Sequence, residues 1–207
     1  MLIAIGVLPK GKRSILGVSV SLSEAEVHWR EFLGSLIQRG LHGVELITSD
    51  AHEGLRAARK ACFSGVPWQR CQFHLMQNAM QYVPKVAMRT EVAEDLRAVF
   101  NAPDRNEAER QLSLAIEKYR DTAPKLSAWM EDAVPEGLSV FALPSSHRRK
   151  LRTTNMLERL NKEIKRRTRV ATLFPNEASL LRLTSAVLIE TSEEWETGKR
   201  YLKLETD

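Results

Sequence analysis

Apolar and polar positions along the chain switch repeatedly between a strand period and a helix period. Residues 2–9, LIAIGVLP, are β-rich, and 11–20, GKRSILGVSV, follow a Lys-Gly turn, so the pair predicts a β-hairpin. From 23 to 39 the period lengthens. Val27, Phe32, Leu33, Leu36 and Ile37 line one face of an amphipathic helix, with Ser23 placed to cap it and Glu26 three positions on. Gly40 and Gly43 stop that helix. VELIT (44–48) is a short continuous apolar run, the pattern of a strand buried on both faces of a mixed sheet. AHEGLRAARKACF (51–63) predicts a helix and VPWQRC (66–71) another short strand. The order β-β-α-β-α-β predicts an α/β sheet.

From about residue 73 to 142 the chain is nearly all helix-forming. Helical spacing recurs in Val92–Leu96–Val99, Leu112–Ile116–Tyr119 and Leu126–Trp129–Met130, punctuated by Pro84, Pro103, Pro124 and Pro135. This region reads as a helical insertion rather than an independent domain. LPSSHRRK (143–150) reads as an exposed basic loop. Residues 153–168 and 176–195 read as closing helices separated by Phe174-Pro175.

Composition narrows the class. Apolar residues make up 43% of the 207, enough for a core, and 28% are charged. Apolar runs are too short to span a bilayer, and the N-terminal positive charges follow the apolar stretch instead of preceding it, unlike a signal peptide. Cys62 and Cys71 make no disulfide framework, so a reducing cytoplasm is the expected compartment.

Charge is the strongest compositional signal. Between Arg148 and Arg169 stand ten Lys and Arg against Glu158 and Glu163, a local +8 within a chain of +5, so the remainder carries −3. A local basic stripe is the footprint of a polyanion such as nucleic acid, or else a solvated helix face. Helical geometry puts Leu157, Leu160 and Ile164 on a buried stripe. Glu158 and Lys165, seven apart, project in nearly one direction, flanked by Asn155, Lys162 and Arg169. A carboxylate beside cations suits metal-assisted phosphoryl transfer, the acid holding Mg²⁺ while Lys and Arg position phosphates. The alternative is a surface Glu paired with Arg159 or Lys162.

Three further positions carry open alternatives. Asp50, in TSDAHEG, follows a buried strand, a frequent active-site position in α/β sheets, or it caps the helix at 51–63. Cys71 and His74, in CQFH, have metal-ligand spacing, but a structural zinc site wants four ligands and the nearby candidates are only Cys62 and His52. Hydrogen-bonded packing is the other reading. Trp129 and Trp195 are expected in packing rather than base stacking.

Taken together, D-x-x-x-G-L at 50–55, V-P-W-Q-R-C-Q-F-H at 66–74, T-T-N-M-L-E-R-L-N-K-E-I-K-R-R-T at 153–168 and L-F-P-N at 173–176 resemble the signatures of Mutator-type insertion-sequence transposases. The resemblance runs from about residue 2 to the end. It implies an RNase H-like mixed sheet with an all-helical insertion, divided as 1–75 for the first part of the catalytic core, 76–145 for the insertion, and 146–207 for core helices with a basic DNA-contacting face. It implies a DDE mechanism with two Mg²⁺ (or Mn²⁺) ions, cleavage at the element's ends and attack of the freed 3′-OH on target DNA. By position, Asp50 is the second acid and Glu158 the third, and Cys71 and His74 match the family's C-x-x-H element. Lys165 matches the basic residue that contacts phosphate, with Arg149, Lys162, Arg166, Arg167 and Arg169 as further DNA contacts. The implied partners are double-stranded terminal-repeat and target DNA and further copies of the chain, with no membrane, in a nucleoid-associated cytoplasmic setting.

One departure matters. The family's first Asp belongs on a strand ahead of the hairpin, and no Asp precedes Asp50 here; the acids there are Glu24, Glu26, Glu31 and Glu45. The chain therefore reads as N-terminally truncated, without its central first strand, and inactive alone. The alternative is a non-enzymatic DNA-binding remnant that modulates full-length transposase.

Overall fold

The computed structural model describes residues 1–21, 23–168 and 176–204. The fold is mixed α/β and mostly helical, with β1 (Leu2–Val7), β2 (Arg13–Ser19), α1 (Glu26–Gln38), β3 (Ile47–Ser49), α2 (Glu53–Cys62), β4 (Trp68–Arg70), α3 (Gln72–Ala79), α4 (Arg89–Phe100), α5 (Arg105–Tyr119), α6 (Pro124–Ala133), α7 (Ser145–Leu151), α8 (Asn155–Thr168) and α9 (Glu177–Thr197). They group into two compact units. The first holds residues 1–44, 52–65 and 155–207; the second holds 45–51 and 66–154.

The predicted hairpin forms. β1 and β2 run antiparallel, Leu2 opposite Ser19 and Val7 opposite Arg13, with a register shift at Ala4/Ile5. Alternation sends its side chains to two faces. Ile3, Ile5, Ile15 and Val18 pack with Leu160 and Ile164 of α8 and Val187 and Leu188 of α9. Leu2, Ala4 and Leu16 face Phe32 and Leu36 of α1. Gly17 permits this second contact, because a Cβ there would stand 2.8 Å from Leu36 Cδ2. The first unit is thus a hairpin between helices, with α2 laid on α1.

The second unit is built on β3 and β4, which pair in parallel as Ile47 with Trp68, Thr48 with Gln69 and Ser49 with Arg70. Around them α3 to α6 bury a continuous core that includes Leu75, Val92, Leu96, Val99, Leu112, Tyr119, Leu126 and Met130. The three helical periodicities read from sequence all contribute to that core. Pro124 opens α6 at a position where its missing N–H costs nothing.

Four expectations change. The strands form two separate two-stranded sheets rather than one. β3 and β4 are three residues each, and the Gln69 side chain of β4 bonds the 137–140 backbone instead of a further strand: Gln69 Nε2 donates to Gly137 O (2.8 Å) and Val140 N–H donates to Gln69 Oε1 (2.7 Å). The strand expected at 44–48 is hydrogen-bonded in the ladder only from Ile47 to Ser49. α1 begins at Glu26 behind Ala25, not at Ser23, whose hydroxyl accepts from Ala25 N–H at 3.5 Å instead of capping the helix. Only Phe32 and Leu36 of its apolar face are buried, while Val27 is 54% exposed.

The fourth change is the basic loop at 143–150, which contains helix α7. Tertiary contacts select it. Arg148 donates to Leu143 O (2.9 Å) and Pro103 O (2.6 Å), its guanidinium lies 5.2 Å from the Phe141 ring centre, and His147 is buried. Trp129 stacks on Tyr82 at 5.5 Å and Trp195 packs beside the α8–α9 core, as expected of packing residues.

Candidate active site

Asp50 follows the last paired residue of β3 in the second unit. The parallel ladder ends there, with Cys71 N–H donating to Ser49 O at 2.8 Å. α3 starts immediately after Cys71 and carries His74 in its first turn, placing Nδ1 3.8 Å from Asp50 Oδ1. The Asp50 side chain is 52% exposed, and its Oδ1 accepts from the adjacent Ala51 N–H at 2.8 Å. α2 starts behind His52, and that cap carries no side-chain hydrogen bond. The carboxylate is therefore not consumed as a helix cap, the alternative that its sequence position left open. A carboxylate at a strand end, half open to solvent and beside an imidazole, offers hard oxygen donors suited to Mg²⁺ or Mn²⁺.

Cys71 lies beneath this carboxylate's strand and is fully buried. Its sulfur accepts hydrogen bonds from both the amide and the hydroxyl of Thr154, each at 3.3 Å. Two more bonds tie the same segment down: Thr48 Oγ1 donates to Leu151 O (2.7 Å) and Gln72 N–H donates to Arg152 O (3.0 Å). Residues 151–154 are thus stitched to β3 and to the start of α3. Sequence reasoning did not single out Thr154; its only signal is its place in the T-T-N-M-L-E stretch. The floor is stiffened from the other side. Buried Gln69 and Gln72 both donate to Gly137 O at 2.8 Å, and Arg70 pairs with Glu136 at 3.1 Å.

Glu158 lies in the first unit, half-buried in the first turn of α8. α8 forms here because its apolar stripe has a partner: Leu160 and Ile164 are 3% exposed against α9 and the hairpin, with Leu157 half-buried. Lys162 and Lys165 are exposed. Arg166 and Arg167 are not open cations. Glu163 accepts two bonds from Arg166 (2.9 and 2.7 Å) and one from Arg167 (2.8 Å), and Arg167 also reaches Glu190 of α9 at 2.6 Å. Those bonds hold the Glu163 carboxyl at about 2, well below its ordinary range, and raise both arginines. Spacing of three and four residues carried this signal in the sequence.

In the second unit Arg149 is exposed on α7. Arg148 and Arg152 instead spend their donors on the protein, Arg152 on Phe100 O (3.0 Å) and Asn101 Oδ1 (2.8 Å). Burial, and then the charge of Arg149, lower the Arg152 pKa. Arg169 and the residues 173–175 of the L-F-P-N stretch lie outside the described residues; Asn176 caps α9 through Ser179 N–H at 2.9 Å. The structure thus brings together Asp50, Cys71 and His74 in one unit, and Glu158 with Lys162, Lys165, Arg166 and Arg167 in the other.

Residues 1–198 match the family described as Transposase, Mutator family. The chain is 56% identical to the transposase for insertion sequence element IS406 of Burkholderia multivorans, over 98% of this chain and 52% of that protein. It is 39% identical to the transposase for IS1081 of Mycobacterium tuberculosis, over 99% of this chain and 49% of the relative. It is 36% identical to the transposase for IS256 in transposon Tn4001 of Staphylococcus aureus, over 98% and 52%. The chain spans about half the length of these relatives. Its match from residue 1 to residue 198 places it in the Mutator family of transposases.

Proposed function

We propose that this chain is part of the catalytic region of an insertion-sequence transposase, with an RNase H-like core that cuts and joins DNA by phosphoryl transfer. The observation that carries the reading is the state of Asp50: a strand-end carboxylate, half exposed and bound to no helix cap. In this reading Asp50 and Glu158 hold divalent metal. When bound, Mg²⁺ or Mn²⁺ activates the attacking oxygen and stabilises the leaving one. His74 orients the Asp50 carboxylate from the first turn of α3. Lys162 and Lys165 hold phosphates, with Arg149 as a further contact. Arg166 and Arg167 contact DNA only by giving up their ion pairs with Glu163 and Glu190, so they contribute less than their charge suggests. Duplex DNA, as terminal repeats and target, is the partner, and copies of the chain assemble on it.

A DDE centre uses three acids, and no Asp precedes Asp50 in these 207 residues. With two of the three, the chain alone is expected to bind DNA without cutting it, and that observation favours a second reading, a non-enzymatic DNA binder that modulates the complete transposase. Mn²⁺-induced paramagnetic broadening tests the metal assignment. Resonances around Asp50 should broaden in the native chain and keep their intensity in Asp50→Asn. Broadening that survives Asp50→Asn would remove Asp50 from the centre. Incubation with terminal-repeat DNA and Mg²⁺ separates the two readings, since cleavage by this chain alone would rule out the non-enzymatic one.

A further inference from the structure

The first unit carries a second basic surface that sequence order hides. The turn between β1 and β2 reads Lys10-Gly11-Lys12-Arg13, and the segment after α9 reads Gly198-Lys199-Arg200-Tyr201-Leu202-Lys203-Leu204. The turn carries +3 with no acid, and the tail carries three cations ahead of Glu205 and Asp207. Outside the turn, the tail through Asp207 and the 148–169 stripe, the chain's charge falls to −7.

The fold joins the two segments backbone to backbone. Tyr201 N–H and Leu202 N–H both donate to Gly11 O, at 2.7 and 3.0 Å, and Lys12 Nζ donates to Gly198 O. Gly11 is required: its φ is +71°, and a Cβ would collide with the Leu202 carbonyl. Arg13 is clamped between the Trp195 ring (4.3 Å) and the Tyr201 ring (4.9 Å), which anchors the tail to the hairpin. At the end of α9, Glu196 accepts from Ser14 at 2.9 Å, and Glu193 and Glu194 are exposed. Lys10, Lys199 and Arg200 are left exposed on the joined surface.

We propose that the joined turn and tail form a phosphate-binding surface for duplex DNA, separate in sequence from α8 and set by the Gly11–Leu202 clasp. Charge complementarity selects the occupant, because the joined turn and tail carry six cations against Glu205 and Asp207, an excess of positive charge that a phosphate backbone matches. The surface reads no bases. It offers Lys and Arg side chains only, so it serves to hold and orient DNA rather than to choose its sequence.

The inference rests on the DNA-binding reading, and the test separates the two. The full 207-residue chain is titrated with a random-sequence duplex by fluorescence anisotropy over a range of salt. The native chain is compared with a Lys10→Gln/Lys199→Gln/Arg200→Gln variant and a Lys162→Gln/Lys165→Gln variant. Each lost phosphate contact lowers the slope of log affinity against log salt by about 0.9, so the triple variant should lose about 3 and the double about 2. Circular dichroism of both variants should match the native chain, and Lys10→Gln alone should still lower the slope by about 1. A triple variant with the native slope, beside a double variant that loses its share, would overturn the turn-and-tail surface while leaving the α8 reading intact. A native chain whose binding ignores salt would overturn both. If the triple variant keeps its slope but changes self-association in sedimentation, the surface serves a second copy, and the proposal fails.

Discussion

The two units spend their apolar residues differently. The second gathers Leu75, Val92, Leu96, Val99, Leu126 and Met130, all 0% exposed, into one continuous core. The first splits its core into two thin layers on either face of a hairpin, and most hairpin side chains in them stay half-buried. Yet the first unit presents α8, the turn and the tail, with exposed Lys162, Lys165, Lys10, Lys199 and Arg200. The continuous core lies in the second unit, and α8, the turn and the tail, where DNA contacts are proposed, lie in the thinner first unit. Thin, half-buried layers open locally at lower cost than a dense core.

Four measurements press on this contrast. The largest effect belongs to Leu96→Ala, which opens a cavity in the dense core and should cost about 2–5 kcal/mol. Hydrogen exchange should accelerate throughout α4 to α6, and an acceleration confined to α4 would break the picture of one continuous core. Gly11→Ala should come next, costing about 1–3 kcal/mol through its left-handed backbone and the collision with Leu202. Exchange of the Tyr201 and Leu202 amides should rise with it, and the DNA salt slope should fall; native exchange at both amides would mean the clasp is not held by Gly11.

Tyr119→Phe sharpens the comparison from inside the second unit. The buried phenol donates to Asp95 at 2.6 Å, while Lys118 binds Asp95 (2.7 Å) and Glu91 (2.9 Å), tying α5 to α4. Losing the phenol bond should cost about 1–2 kcal/mol in a urea titration. Burial first, then Asp95, raises the Tyr119 pKa, so its absorbance should not show a phenolate until well past the ordinary pH of 10.

The smallest effect is electrostatic. Glu163 is held at about 2 against an ordinary 4.5, so its contribution is present above 4.5 and is lost as pH falls through about 2. Carboxyl-carbon NMR should find the Glu163 midpoint near 2. A midpoint near 4.5 would mean that Arg166 and Arg167 are open, and that the α8 stripe is as positive as its residue count.

Much of the fold was legible, because period and packing agree where a helix repeats its apolar positions over three turns. Leu112–Ile116–Tyr119 needed no tertiary information to be recognised. The α7 helix did, because its seven residues hold no apolar period and its shape follows from Arg148 reaching Leu143 and Pro103. Site residues follow the same rule. The motif spacing singled out Asp50, Cys71, His74 and Glu158, and the Glu163 ion pairs were readable as helix neighbours. The 3.8 Å approach of His74 to Asp50, the Thr154 bonds to Cys71 and the clasp of Gly11 on Leu202 were not, since each joins residues that no local pattern relates.

That clasp also sets an order of events during synthesis. The second unit draws on residues 45–51 and 66–154, so its chain is complete before α8, α9 and the tail have left the ribosome. The hairpin, finished at Ser19, must wait for α9 at 177–197 to cover Ile3, Ile5 and Ile15. At about 5–20 residues per second that wait is roughly 9–36 s. For that interval Ile3, Ile5 and Ile15 lack the α9 side chains, Val187 and Leu188, that cover them in the folded unit.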